Sequence, residues 1–481
     1  MASEKSSSNG TLVMKFGGTS VGTAEAMSKS AQIVLEARPD WQRLVVVTSA
    51  LAGVTNLLLD TANEAAHGNL QHLAEAEGSL RERHFGIADA LIQDPAARAQ
   101  AREEIGQLVA TFVDLCKAIA MLGEATPRAL DAVGSLGERM SVRLLAPAIS
   151  AAGIPARYIE ASELIITNAN FQNAHPDFAA TTLRTRQALE PFFAERTIPV
   201  VTGFLGATPE GIITTLGRGG SDYSAGIIGA VLPADDVWIW TDVDGVMTAD
   251  PRMVPQARTL SEITYGEVAE LAYYGAKVLH PKTIRPIVEA GIGLRICNTF
   301  NPTHAGTRLI PNLSSNGARN GKQVIKAVTA VRKQKLITIE GRGMLGVPGV
   351  AARAFAAVAS TGTSVPLITQ ASSEQSICFA VPSEAAAAVL AALEQVFSSE
   401  IIERDIDRVW STEDVAIITV VGTGTRNTPG VAGQIFTRLG ETGVNVLAIA
   451  HGSSDVSISM AVESLDTEKA VKSLHELIVK A

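Results

Sequence analysis

The chain has 481 residues, 46% hydrophobic and 19% charged, with 40 Lys and Arg against 49 Asp and Glu and a formal net charge of −9. That length exceeds one ordinary core and predicts two or three domains, and the composition excludes a disordered chain. A negative balance without clustered Lys and Arg argues against nucleic acid as a partner and points to small molecules.

Residues 1–10 are Ser-rich, carry Glu4 and Lys5 and lack an apolar centre, so they read as a disordered tail and not as a signal peptide. A strand is predicted over Thr11 to Phe16, a helix over Ala24 to Glu36 and a strand over Leu44 to Thr48, then helices to about residue 150. Among these, residues 69–122 read as a helical excursion on the sheet. Further strands are predicted at Ala156 to Glu160, Ile198 to Thr202, Val237 to Trp240 and Leu294 to Ile296. The alternation predicts βαβ units and a mostly parallel sheet flanked by helices, an α/β domain over residues 11–312. No apolar run reaches the roughly 20 residues that span a bilayer, so no membrane partner is expected. Cys116, Cys297 and Cys378 have no paired spacing, which suggests neither disulfides nor a thiolate metal site and fits a reducing cytoplasm.

Residues 313–323, dominated by Ser, Asn and Gly, read as a linker. Beyond it lies an internal repeat: Pro348 to Val381 aligns without gaps onto Pro429 to Val462 at an offset of 81, with 15 of 34 positions identical. Each copy reads strand, Gly-rich loop, helix, strand, turn, strand, which suits a βαββαβ α+β unit. The copies are placed at 324–411 and 412–481, with a C-terminal strand able to return to the first. Such a pair serves either dimerisation or the binding of an effector at its Gly-rich loops.

Three segments, two of them glycine turns, carry candidate chemistry. In Lys15-Phe-Gly-Gly-Thr-Ser20 a strand ends and a helix begins, so the N–H groups of Gly17 and Gly18 are expected to face an anion, with the Lys15 ammonium offsetting charge on a transferring phosphoryl. The Lys precedes its glycines, unlike a Walker A loop, and the turn taken alone fits a tight bend equally well. In Leu216-Gly-Arg-Gly-Gly-Ser-Asp222, three glycines around Arg218 let backbone approach a ligand while the guanidinium grips a carboxylate; a solvated turn is the alternative. After the strand Val237 to Trp240 come Thr241, Asp242 and, further on, Asp250-Pro-Arg252, where an open sheet places nucleotide contacts. Ser49 and Thr55 offer hydroxyls after a strand, or helix caps, and Glu138 offers a carboxylate for an amine.

In this order, and with Gly275-Ala-Lys-Val-Leu-His-Pro281, these motifs closely resemble aspartokinases, and the repeat looks like that family's two ACT domains. The resemblance implies the amino-acid-kinase fold, followed by two ferredoxin-like ACT domains. It also implies phosphorylation of the L-aspartate side-chain carboxylate by MgATP to 4-phospho-L-aspartate, the first step toward lysine, threonine and methionine. By the same resemblance Lys15 and Asp222 are catalytic, and Ser49, Thr55, Glu138, Arg218 and Ser221 bind aspartate. Lys15, Gly17, Gly18, Thr241, Asp242, Arg252 and Lys277 would bind ATP. Magnesium rides on the nucleotide, with no protein metal site. Met344, Gly346, Ser364, Val365 and Gln370 would hold an effector.

Where many members carry Tyr, this chain has Met247, which leaves adenine stacking there in doubt. Ser364-Val-Pro-Leu-Ile-Thr-Gln-Ala-Ser-Ser-Glu374 is most similar to threonine-sensitive aspartokinase/homoserine dehydrogenases, and lysine-sensitive relatives carry Asp where Pro366 stands, so threonine is favoured over lysine. A monofunctional kinase forming a homodimer or homotetramer through its ACT domains is expected. The alternatives are a glutamate-type kinase of the same family and a sensor with a dead kinase half.

Overall fold

The computed structural model describes residues 10–274, 279, 281–311, 324–344, 347–370, 375–451 and 455–479. They fall into two compact units, one drawn from Met1–Val246, Ser261–Tyr265 and Val278–Pro311, the other from Met247–Leu260, Gly266–Lys277 and Asn312–Ala481. Two stretches that precede the repeats in sequence therefore pack with them. Residues 1–9 of the expected tail, the linker, the Gly275 to Pro281 motif but for Leu279 and Pro281, Lys277 and Gly346 lie outside the described residues, whereas Gly10, expected in the tail, is buried and its carbonyl accepts from the Arg43 N–H at 3.2 Å.

The first unit is built on ten strands, β1 (Thr11–Phe16), β2 (Arg43–Thr48), β3 (Ala156–Ile159), β4 (Ile198–Thr202), β5 (Leu205–Ala207), β6 (Ile213–Thr215), β7 (Asp236–Thr241), β8 (Glu262–Thr264), β9 (Gly293–Asn298) and β10 (Thr307–Ile310). Eight form one sheet in the order β3-β4-β2-β1-β7-β9-β10-β8, parallel except for the β9–β10 pair, while β5 and β6 pair as a separate hairpin. Every residue of β1 is buried, as a central strand covered on both faces requires. The helices are α1 (Gly18–Val21), α2 (Ala24–Ala37), α3 (Val54–Ala66), α4 (Leu73–Leu91), α5 (Pro95–Leu122), α6 (Pro127–Ala151), α7 (Phe178–Ala194) and α8 (Gly220–Val231), followed by α9 (Tyr265–Tyr273), all but its first residue in the second unit, and by α10 (Pro281–Ala290) in the first.

Contrary to the reading of the sequence, α5 is long and apolar enough by composition to cross a bilayer. Its Ile105, Leu108, Val109, Phe112, Cys116 and Ile119 recur every three or four residues and lie in the main core, which accounts for the apolarity.

In the second unit, β11 (Ala327–Glu340), β12 (Leu367–Gln370), β13 (Ser376–Pro382), β14 (Arg408–Ser411), β15 (Val415–Val421), β16 (Val446–Ala450) and β17 (Ser457–Glu463) form one sheet, with helices α11 (Val350–Ser360), α12 (Ala386–Val396), α13 (Ser398–Glu403), α14 (Val431–Glu441) and α15 (Thr467–Val479). The long β11 serves both copies. Its C-terminal half pairs with β13 and β14, its N-terminal half with β15, and the register shifts between Val331 and Gln334. The strand completing the second copy thus comes from ahead of the first copy. After β17 the described chain continues as α15 and not as the strand expected to return, and it is β11, with its register shift at 331–334, that serves both copies.

Candidate active site

A cavity of about 550 Å³ opens at the carboxyl ends of β1 and β2 and the start of α8. Lys15, next to last in β1, reaches it with Nζ 2.6 Å from Asp222 Oδ1, off the line of a hydrogen bond; the two side chains are only 10% and 17% exposed. Two unit charges so close and so shielded from water interact strongly. Asp222 stands in the first turn of α8, and the turn before it bends through Gly217 (φ 79°) and Gly219 (φ 70°), conformations glycine adopts without steric cost. Arg218 lies between them, exposed at the cavity rim. A Cβ on Gly203 would fall 2.6 Å from Ser221 Cβ, so the end of β4 and the start of α8 meet flush only because that residue is glycine.

Glu138 comes from α6, a helix begun by Pro127 with Thr126 accepting from the Ala129 N–H. It is 3% exposed, and its Oε2 has no hydrogen-bond partner. Burial pushes its carboxyl up to about 8, against the Ala50 N–H and the Lys15 charge, which pull it down. A buried carboxyl with an unspent oxygen facing a cavity is built to receive a cation or a donor.

Lys15, Ser49, Thr55, Glu138, Arg218, Ser221 and Asp222 all line this one cavity. Gly18 lines it too, whereas the N–H of Gly17 donates to Trp240 O at 3.0 Å. The expectation that Gly17 offers its amide to an anion is therefore corrected: that donor is spent on the neighbouring strand. Thr241 ends β7, the strand beside β1, Asp242 follows it, and both stand outside the cavity lining, with Thr241 Oγ1 donating to Asp242. Arg252 belongs to the second unit, where its guanidinium is 86% exposed and grips Asp250 at 2.6 Å. Met247, in the same loop, accepts at Sδ from Thr259 Oγ1. Sequence reasoning missed Asp131, Gln172, Phe204 and Thr215 in the lining. Asp131 lies two helical turns before Glu138 on the same face of α6, a spacing that marks it in hindsight.

The second unit has its own cavity, about 420 Å³, lined by Met344, Val347, Pro348, Gly349, Val350 and Gln370 among others. Of the expected effector residues, Met344 and Gln370 meet there. Ser364 is exposed outside the lining, and Val365 packs on the core of the first copy.

The amino acid kinase family model matches residues 10–298 and an ACT domain model matches 337–397 and 418–477. Aspartokinase 3, chloroplastic, of Arabidopsis thaliana is 35% identical over 97% of this chain and 81% of its own. The chain belongs to the aspartokinases. A bifunctional aspartokinase/homoserine dehydrogenase 1 of Zea mays, chloroplastic, is 37% identical over 96% of this chain and 50% of its own, so the chain spans about half the length of the bifunctional relatives it matches. The crystal structure of E. coli aspartokinase III in complex with aspartate and ADP (R-state) superposes with a TM-score of 0.80, at 31% identity over 97% of this chain and 99% of that one. The same enzyme in complex with lysine and aspartate (T-state) gives 0.78 over the same shares. The aspartokinase fold accounts for the mostly parallel sheet and for the ACT repeats.

Proposed function

We propose that this protein transfers the γ-phosphoryl group of MgATP to the side-chain carboxylate of L-aspartate, giving 4-phospho-L-aspartate and ADP, under feedback from an amino acid held in the cavity of the first ACT copy. Glu138 carries the reading. In an empty site at neutral pH its carboxyl is held protonated by burial, and an arriving α-ammonium offsets that burial and draws it into the ionised form. An acetylated amino acid offers no such charge. Arg218 at the rim takes the α-carboxylate, and Ser49, Thr55 and Ser221 orient the side chain toward Lys15.

The attacking carboxylate is ionised at pH 7, so the reaction needs no strong base and rests on positioning and charge neutralisation. Lys15 meets the charge on the phosphoryl oxygens, and Asp222 holds the ammonium in place. Magnesium arrives with the nucleotide, whose contacts we assign to Gly18, Thr241 and Asp242. The E. coli relative crystallised with aspartate and ADP supports this substrate pair, and its lysine complex supports an amino-acid effector. For this chain the effector we favour is threonine, because Pro366 offers no carboxylate to a lysine ammonium. Assembly through ACT sheet edges is supported by exposed Ile368 on β12 and Leu447 and Ile449 on β16. The three free cysteines suit a reducing compartment such as the cytoplasm.

The test is acyl phosphate trapped as hydroxamate. Wild-type protein should yield aspartyl hydroxamate, and Lys15→Ala should lower the rate by roughly a hundredfold or more; undiminished product from the variant refutes the assignment. Because Glu138 must lose its proton to pair with the ammonium, kcat/KM for aspartate should climb with pH and level off above about 8.

A further inference from the structure

The turn that carries Arg218 is tied by two side chains outside the chemistry above. Asp131 on α6 is 1% exposed. Its Oδ1 accepts the Thr215 hydroxyl at 2.7 Å, its Oδ2 accepts the Thr215 N–H at 2.9 Å, and both oxygens share the Gln172 N–H at 3.0 Å. Donors from the chain thus occupy the carboxylate, which leaves it to hold backbone and not ligand. Gln172 is held at φ 65°, a strained conformation for a residue with a side chain, and its carbonyl oxygen lies 2.8 Å from where a Cβ on Gly217 would be.

From the other side Lys282, in the first turn of α10, donates to Asn173 Oδ1 at 2.6 Å and to Leu216 O at 3.3 Å, with its ammonium 5.3 Å from the centre of the Tyr223 ring. Residues 172–173 and 215–217 are clamped together by anchors from α6 and α10. A glycine turn left to itself would sample many conformations, and ordering it costs about 1 kcal/mol or more per residue. These ties hold it ordered before substrate arrives.

We propose that Asp131 and Lys282 are positioning residues for Arg218, setting its distance from Glu138 so that the site fits the α-carboxylate and α-ammonium of one amino acid together. The proposal rests on the aspartate reading above. It makes the pair determinants of selectivity for an unblocked α-carboxylate.

The experiment compares wild type with Lys282→Met on L-aspartate and on L-aspartate α-amide, whose α-carboxylate is masked, the amide serving as acceptor or as competitive inhibitor. In the variant KM for aspartate should rise roughly tenfold, with kcat and KM for ATP within about twofold and the amide constants unchanged. Lys282→Arg should recover most of the loss. Asp131→Asn, which sets a donor against the Gln172 and Thr215 donors, should raise the same KM further; if it fails to fold, Lys282→Met decides alone. An aspartate KM within twofold of wild type, or equal losses on aspartate and amide, overturns the proposal while the kinase reading stands. A wild-type protein that makes no hydroxamate from aspartate overturns the kinase reading, and this proposal with it.

Discussion

The two ACT copies share a backbone and spend it differently. Their helices α11 and α14 stand 81 residues apart, begun by Gly349 at φ 92° and Gly430 at φ 88°, and Gly362 at φ 70° matches Gly443 at φ 67°. In the first copy the loop ahead of the helix borders the 420 Å³ cavity. Both loops are fastened to the chain, the first through Gly341 N–H to Gln375 O and Gly343 N–H to Asp405 O, and the second is tied to α9 as well. Gly422 N–H donates to Val456 O, Gly424 N–H and Thr425 N–H donate to Asp455 O, and Thr423 gives both its N–H and its hydroxyl to Glu267 of α9. Duplication preserved the fold, and the loop of one copy borders open space while the other braces a segment that precedes the repeats in sequence.

The largest effect should come from breaking that brace. Glu267 is fully buried, with Oε1 taking both Thr423 donors at 2.7 Å and Oε2 lying 2.8 Å from Lys326 Nζ. Glu267→Ala strands a mostly buried ammonium and an N–H, at a cost of about 3 kcal/mol. Urea unfolding measures it; a loss under about 1 kcal/mol would mean that the second loop is held by other means.

A smaller effect separates the copies by ligand. Gln370 lines the first cavity, and its counterpart at the same repeat position is His451. Gln370→Ala should raise the threonine concentration for half inhibition about tenfold or more, the loss of roughly one hydrogen bond, whereas His451→Ala should change it less than about twofold. Inhibition curves for the two variants decide, and the reverse ranking would move the effector to the second copy. Inhibition of the wild type by lysine alone would remove the threonine assignment.

The parts of the molecule that could be read in advance are those whose signal is local. β1 and β4 fall on their predicted spans because each is a short, mostly apolar run closed by a glycine, Gly17 and Gly203. The seven side chains of the first unit's cavity meet because each stands at or just past a strand end, at the start of a helix, or on the long helix α6. What stayed hidden depends on distant partners. Gly17 loses its amide to Trp240, and Asp131 finds its donors 41 and 84 residues away. β11 reads as one strand, but nothing within it says that its two halves belong to different copies.

The smallest predicted effect tests whether the copies are alike beneath that divergence. A Cβ at Gly349 or at Gly430 meets nothing within 4 Å, so replacing either with alanine changes only the backbone term. Both sit near φ 90°, and each substitution should cost about 1 kcal/mol, the left-handed penalty less what a stiffer unfolded chain returns. Equal shifts in the denaturation midpoint would show that the two loops impose the same geometry. Gly349 also lines the first cavity, so its alanine variant should alter effector affinity while Gly430→Ala leaves it alone. Equal stability losses with unequal inhibition would place the divergence in what the loops face, whereas unequal stability losses would place it in the backbone itself.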